Sequence, residues 1–156
     1  FLNVPEGTVF AGVVLDGSIL TMQLDIIAQL KVFLLSLPLV CTIANIMLSN
    51  NICDLETDIT NHRYTLVYYI GKKQALVVYQ VLYAIAFGAM VLAVLLGVAP
   101  WILLGVLVAG VPVYKHIQQF KAVQEKKTTF ALAIKNMVMI HSLQAVLLFV
   151  AVLFFN

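Results

Sequence analysis

Long apolar blocks make up most of this chain, and its polar residues gather in a few short gaps between them. Several blocks are nearly free of charge over the ~20 residues a helix needs to cross a bilayer, so the pattern predicts membrane-spanning helices. Five segments are predicted. The first covers 4–15, with Pro5 suited to a helix's first turn; being short, it is expected to break at Asp16-Gly17, to continue to Met22, or to be cut short at its start. The second covers 26–50 and should be kinked at Pro38. The third, 74–96, is an uncharged span closed by the tight turn Gly97-Val98-Ala99-Pro100. The fourth covers 101–114, with Pro112 as a kink or stop. The fifth covers 136–155, with His141 and Gln144 its only strongly polar interior residues.

Composition supports this pattern. The chain is 63% hydrophobic and 10% charged, against about 45–50% and 25% for an ordinary soluble domain. A core of this length cannot hide that much apolar surface. The fold class predicted is all-α, a polytopic transmembrane bundle of about five helices, forming one domain over 1–156 with no internal repeat and no low-complexity linker. A net charge of +2, without a basic patch interleaved with aromatics, excludes nucleic acid as a partner. Cys41 and Cys53 have no metal or CxxC spacing. Cys41 falls in an apolar run and is expected in the core, and Cys53 at a reducing membrane edge. No start methionine or signal peptide is visible. The chain opens in mid-pattern at Phe1, as a part of something longer would.

The positive charges predict topology. Lys115, Lys121, Lys126, Lys127 and Lys135 crowd the gap between segments four and five, and Arg63, Lys72 and Lys73 the gap between two and three. The turn at 97–100 has none. The basic gaps should face the cytoplasm, which puts the chain's start inside and Asn156 outside, in a multi-pass protein of the plasma membrane.

The chemistry concentrates in the run from Asn50 to Asp58, NNICDLETD. Carboxylates at a membrane edge are costly and mark a functional site by default. On a helix Asp54 and Asp58 share a face, with Asn50 one turn before them. Like charges so placed repel, and a cation between them resolves the repulsion. Magnesium takes one or two protein carboxylates and fills its shell with water and phosphate oxygens, so Asn50, Asp54 and Asp58 form a partial magnesium shell. Arg63, Lys72 and Lys73 stand where they could meet a diphosphate bound to the same metal. A DxxxD pair alone is weak evidence, since acidic pairs are common on solvated faces; its place after an apolar run and paired asparagines gives it weight.

The pattern Asn50-Asn51-x-x-Asp54-x-x-x-Asp58, followed by Thr65-Leu66 and Gly71, resembles the second aspartate motif of the UbiA superfamily of intramembrane prenyltransferases, nearest to the 1,4-dihydroxy-2-naphthoate polyprenyltransferases of menaquinone synthesis. The resemblance covers most of the chain, and its specific part runs from Asn50 to Gly71. It implies a nine-helix fold around a central cavity, of which this chain would be the C-terminal five helices; the first aspartate motif and the N-terminal helices would lie in a missing part. It implies that Asp54 and Asp58 are catalytic, that Asn50, Asp54 and Asp58 hold Mg2+, and that a polyprenyl group passes from its diphosphate to an aromatic acceptor. Where close relatives carry arginine this chain has Cys53, where they have Gly-Lys it has His62-Arg63, and where they have a basic residue it has Tyr69. Fewer cations imply weaker diphosphate binding or compensation from elsewhere.

Other residues have plainer readings beside the functional ones. Glu56 points off the aspartate face and reads as a solvated carboxylate rather than a ligand. His62 reads as a loop histidine rather than an acid–base group. Lys115 and His116 end segment four, where they face the diphosphate or simply snorkel and set topology. The 121–127 lysines suit membrane lipids, the anionic ones above all. His141 and Gln144 suit hydrogen bonds between helices, or an acceptor cavity. Tyr68, Tyr69, Tyr79 and Tyr83 read as interface or core residues. A different class also fits: a non-catalytic membrane binding or transport subunit whose acidic cluster holds a cation.

Overall fold

The computed structural model describes residues 11–154. The elements are β1 (Ala11–Asp16), β2 (Ile19–Leu24), α1 (Ile26–Cys53), α2 (Leu55–Thr60), α3 (Leu66–Leu95), a 3-10 segment (Trp101–Ala109), α4 (Gly110–Ala122) and α5 (Phe130–Phe154). Four helical stretches are long and apolar enough to cross a membrane: α1, α3, the 3-10 segment joined to α4, and α5. The all-α membrane bundle expected from the sequence is the architecture found.

The first predicted helix is not found. Residues 4–10 lie outside the described residues, and from Ala11 onward the chain is an antiparallel hairpin in which Ala11 pairs with Leu24 and Asp16 with Ile19. Gly17 and Ser18 form its two-residue turn. Gly17 has φ +59° and Ser18 does not share that left-handed backbone, the pattern of a type II′ turn, whose twist suits two antiparallel strands. The signal was in the sequence. Val13, Val14, Ile19 and Thr21 are β-branched and flank a turn dipeptide. Their apolar character resembled a span, but the run is too short for one.

The spans also start and end differently from expectation. α1 continues three residues past Asn50, to Cys53. α3 begins at Leu66 but is interrupted at Gly71 (φ 79°, ψ 155°), so the expected start at 74 falls just beyond the interruption. The fourth span does not stop at Pro112. Pro112 sits in the first turn of α4, where its missing N–H is not needed, and the helix continues to Ala122. Lys115, His116 and Lys121 are therefore helical, and the loop before α5 shrinks to 123–129. α5 starts at Phe130, six residues early, and takes in Lys135.

Four spans in place of five change the expected alternation. Leu24, the Leu96–Pro100 turn and Phe154 share one end of the bundle, and a groove lined jointly by Ile27, Leu30, Leu96 and Val98 marks that end. The α1–α3 connection and the 123–129 loop share the other. Phe1 and Asn156, the ends whose opposition was expected, lie outside the described residues.

α1 packs on α3 and α5, and the 3-10 segment packs on the same two helices. Gly105 lets it approach closely: a Cβ there would stand 3.2 Å from Leu147 Cδ1. Ile52, Val67, Tyr79, Leu103, Phe120 and Ile140 are fully buried between the helices. Polar side chains bind the spans together. Asn45 Nδ2 donates to the Tyr79 carbonyl (3.0 Å), and Thr42 Oγ1 meets His141 Nε2 at 2.7 Å. His116 Nδ1 lies 2.6 Å from Asn136 Oδ1, and Asn136 Nδ2 donates to the Tyr83 hydroxyl (3.1 Å). His141 thus makes the expected bond between helices, and Tyr79 and Tyr83 are core, while Tyr68 and Tyr69 are exposed.

No more than 33% of any span's most apolar window is buried within the chain, and only 11% of that in α5. Without a hydrophobic drive between helices in lipid, such bonds and close packing specify the bundle. Asn136→Ala removes the bridge between α4 and α3. It should lower stability by about 1–2 kcal/mol, read as an earlier unfolding transition in detergent.

Candidate functional site

The polar end of the bundle is built by two chain reversals. α1 ends at Asp54, whose backbone (φ −96°, ψ 4°) turns the chain slightly before α2. The helical register survives this joint. Asp54 N–H donates to the Asn50 carbonyl (3.0 Å) and Asp58 N–H to the Asp54 carbonyl (2.8 Å). Asn50, Asp54 and Asp58 therefore rise one above another on successive turns, as their spacing predicted.

α2 stops in a Schellman arrangement. His62 N–H donates to the Ile59 carbonyl (3.0 Å) and Arg63 N–H to the Asp58 carbonyl (2.8 Å), leaving His62 at φ 55°, where glycine is preferred. α3 ends the same way at its far end, with Gly97 in that place. Gly71 then breaks the start of α3 in a backbone region open almost only to glycine. These two turns aim Arg63 and Lys72 back at the acidic run.

Each of the three carboxylates has its own cation. Arg63 Nη1 lies 3.6 Å from Asp58 Oδ1, with the Asp58 side chain only 6% exposed. Lys72 Nζ donates to Glu56 Oε1 at 2.9 Å, and that hydrogen bond holds the exposed Glu56 carboxyl below its ordinary range. Lys126 Nζ donates to both Asp54 Oδ2 and Asn50 Oδ1. Glu56 is thus the solvated carboxylate expected, and Asp58 is buried.

Lys126 is the site residue that sequence reasoning missed. It read as one of several lysines in a lipid-facing run. The 123–129 loop instead folds over the acids, held by its own bonds: Thr129 Oγ1 donates to the Val123 carbonyl (2.8 Å), Glu125 N–H to Thr129 Oγ1 (3.0 Å) and Thr128 Oγ1 to Glu125 Oε2 (3.0 Å). No local spacing reveals a contact 72 residues apart. Thr65 Oγ1 is buried without a hydrogen-bond partner among the described residues. Lys115 is not brought to the cluster. It is exposed on α4, seven residues before Ala122, or about 10 Å along a helix, and has no polar contact among the described residues. His116 turns inward to Asn136 instead.

Among the described residues no three His, Cys, Asp or Glu side chains are grouped to hold a metal. The donors here are two carboxylates and an amide. Asn50 and Asp54 already converge on a single ammonium, so their oxygens can converge on one small cation. An oxygen-only partial shell fits magnesium, whose other ligands come from water and phosphate.

An apolar groove of about 540 Å³ runs down the outer face of α1, lined by Leu39, Ile43, Met47, Leu48, Asn51 and Leu66 among others. Its upper end, at Asn51 and Leu66, adjoins Asn50 and Thr65 in the chain. The groove and the charged cluster thus share the C-terminal end of α1, with Asn51 on the groove face and Asn50 on the neighbouring face.

Fold and site together define a helical membrane protein with an acidic, cation-rich site at one end. A model of the UbiA prenyltransferase family matches residues 3–143, and the chain belongs to that family. No curated protein and no solved structure matches it.

The backbone at the site makes two predictions. His62→Gly should raise stability by about 1 kcal/mol by relieving a left-handed non-glycine residue. Gly71→Ala should lower it by about 1–3 kcal/mol through backbone strain alone, since a Cβ there meets nothing within 4 Å. Unfolding transitions of the two variants, measured side by side, should move in opposite directions.

Proposed function

We propose that this chain carries the second aspartate site for magnesium-dependent transfer of a polyprenyl group from its diphosphate to an aromatic acceptor. The branch nearest to this reading is that of the 1,4-dihydroxy-2-naphthoate polyprenyltransferases of menaquinone synthesis. The observation that carries it is the stack of Asn50, Asp54 and Asp58 at the end of α1, each acid matched by a cation.

Asn50, Asp54 and Asp58 would hold Mg2+, which when bound neutralises charge on the departing diphosphate. Arg63 and Lys72 are within reach to bind the diphosphate, Asn50 orients it, and Lys115 would contribute only by snorkelling toward that end. The allylic C–O bond breaks with its electron pair leaving on the diphosphate. The groove along α1 keeps water from the resulting cation, and a ring carbon of the acceptor forms the new bond and then passes its proton to the released diphosphate. No protein nucleophile is needed, so positioning and electrostatics supply the acceleration. The missing N-terminal helices of the fold would supply the first aspartate motif and close the open side of the groove. The basic end of the bundle would face the cytoplasm in the plasma membrane.

Asp54→Ala and Asp58→Ala should each abolish prenyl transfer in membranes given labelled prenyl diphosphate, a naphthoate acceptor and magnesium, with the protein still inserted and folded. Turnover at the unsubstituted rate in either variant would overturn the proposal in favour of a cation-holding membrane subunit. Cys53→Arg adds a cation beside Asp54 and should lower the donor KM several-fold; an unchanged or higher KM counts against the assigned diphosphate position.

A further inference from the structure

We infer that Lys126 is a built-in competitor for the metal position, which moves to the bound anion when a divalent ion takes its place. This rests on the metal reading of Asn50 and Asp54 proposed above and adds to it a residue that governs loading.

The geometry is specific. One ammonium donates to the Asn50 amide oxygen and to the Asp54 carboxylate together. Those two oxygens already converge on one cation, and a divalent ion contacting both cannot leave an ammonium between them. The two cations must therefore exchange. Asp58 would still serve the metal, but its carboxylate contacts Arg63 and not Lys126, so the lysine competes at Asn50 and Asp54.

The exchange needs little structural change. The backbone on both sides of Lys126 is tied down by Glu125, Thr128 and Thr129, so the loop can stay in place. Only the flexible four-carbon stem must turn. In the same position Lys126 Nζ lies 5.2 Å from the centre of the Phe130 ring, an attraction that persists when the contacts to Asn50 and Asp54 are given up. Held near that ring, the ammonium stays within a side-chain length of the metal oxygens. An anion bound to that metal is then the nearest strong acceptor for it, and an ammonium serves phosphate well as a mobile point charge. The same lysine thus opposes metal alone and favours metal together with a diphosphate. It couples the two ligands so that neither loads efficiently without the other.

The test uses the purified protein in detergent, with Mn2+ as a spectroscopic substitute for magnesium and inorganic pyrophosphate as the anion. Free Mn2+ is read by electron paramagnetic resonance, independently of turnover. Lys126→Met keeps the apolar stem and removes the charge. If the lysine occupies the site about nine-tenths of the time, Mn2+ affinity should rise about tenfold in the variant. Pyrophosphate affinity in saturating Mn2+ should fall several-fold. Lys126→Arg keeps the charge and should leave Mn2+ affinity no higher than in the unsubstituted protein. Asp54→Asn separates this inference from the metal reading. If Asp54→Asn weakens Mn2+ binding while Lys126→Met leaves both affinities unchanged, the competition is wrong and the metal site stands. If Asp54→Asn leaves Mn2+ binding unchanged, the metal reading fails and this inference with it.

Discussion

Acids stacked one helical turn apart cannot stay ionised at the edge of an apolar bundle unless positive charge is brought to them. The rest of the polar end follows from that constraint. Asp58 is buried and draws Arg63 through a Schellman turn. Glu56 is exposed and draws Lys72 across the break at Gly71. Asp54 draws Lys126 from a loop 72 residues away. Of these three pairs only the last closes the site, because it joins the α1–α3 connection to the loop between α4 and α5. Exposed ion pairs contribute little to stability. Their value here is in orientation, since they fix where the cations stand before any ligand arrives.

Below this charged layer the bundle is organised by a few neutral hydrogen bonds. Thr42 to His141 ties α1 to α5, Asn45 to the Tyr79 carbonyl ties α1 to α3, and the His116–Asn136–Tyr83 relay ties α4, α5 and α3. Each joins residues from separate apolar runs. In lipid, where burying more hydrocarbon gives no advantage, such bonds choose which faces meet. The choice determines which side of α1 remains open, and the groove lies on that side.

Much of this was legible in the chain. The spacing of Asn50, Asp54 and Asp58 predicted a shared helical face, and the backbone bonds across Asp54 maintain it. The apolar runs predicted four of the spans, because length and lack of charge are local properties. Three things were not local. Residues 11–24 are as apolar as a short helix, and only the turn at Gly17 separates the two outcomes. Pro112 looked like a stop because its effect depends on whether it falls in a helix's first turn or its interior. Lys126 looked like any lysine in a basic run, because its role comes from a loop fold that no periodicity records. The structure also gives a physical meaning to the expected departure from glycine at residue 62. The position is left-handed in the backbone, where glycine is preferred, and His62 occupies it at some conformational cost.

The nine-residue 3-10 stretch from Trp101 to Ala109 acts on dimensions. A 3-10 turn rises about 2.0 Å per residue against 1.5 Å for an α-helix, so this span is about 4–5 Å longer than an all-α helix of equal residue count. The extra reach is spent at its far end, where it carries the lysine-bearing loop out to the depth of the acids. Rewinding that stretch into an ordinary helix would retract the loop by more than a hydrogen bond's length. The pitch of a featureless apolar segment at one membrane face thus sets whether the ionic contact at the opposite face can close.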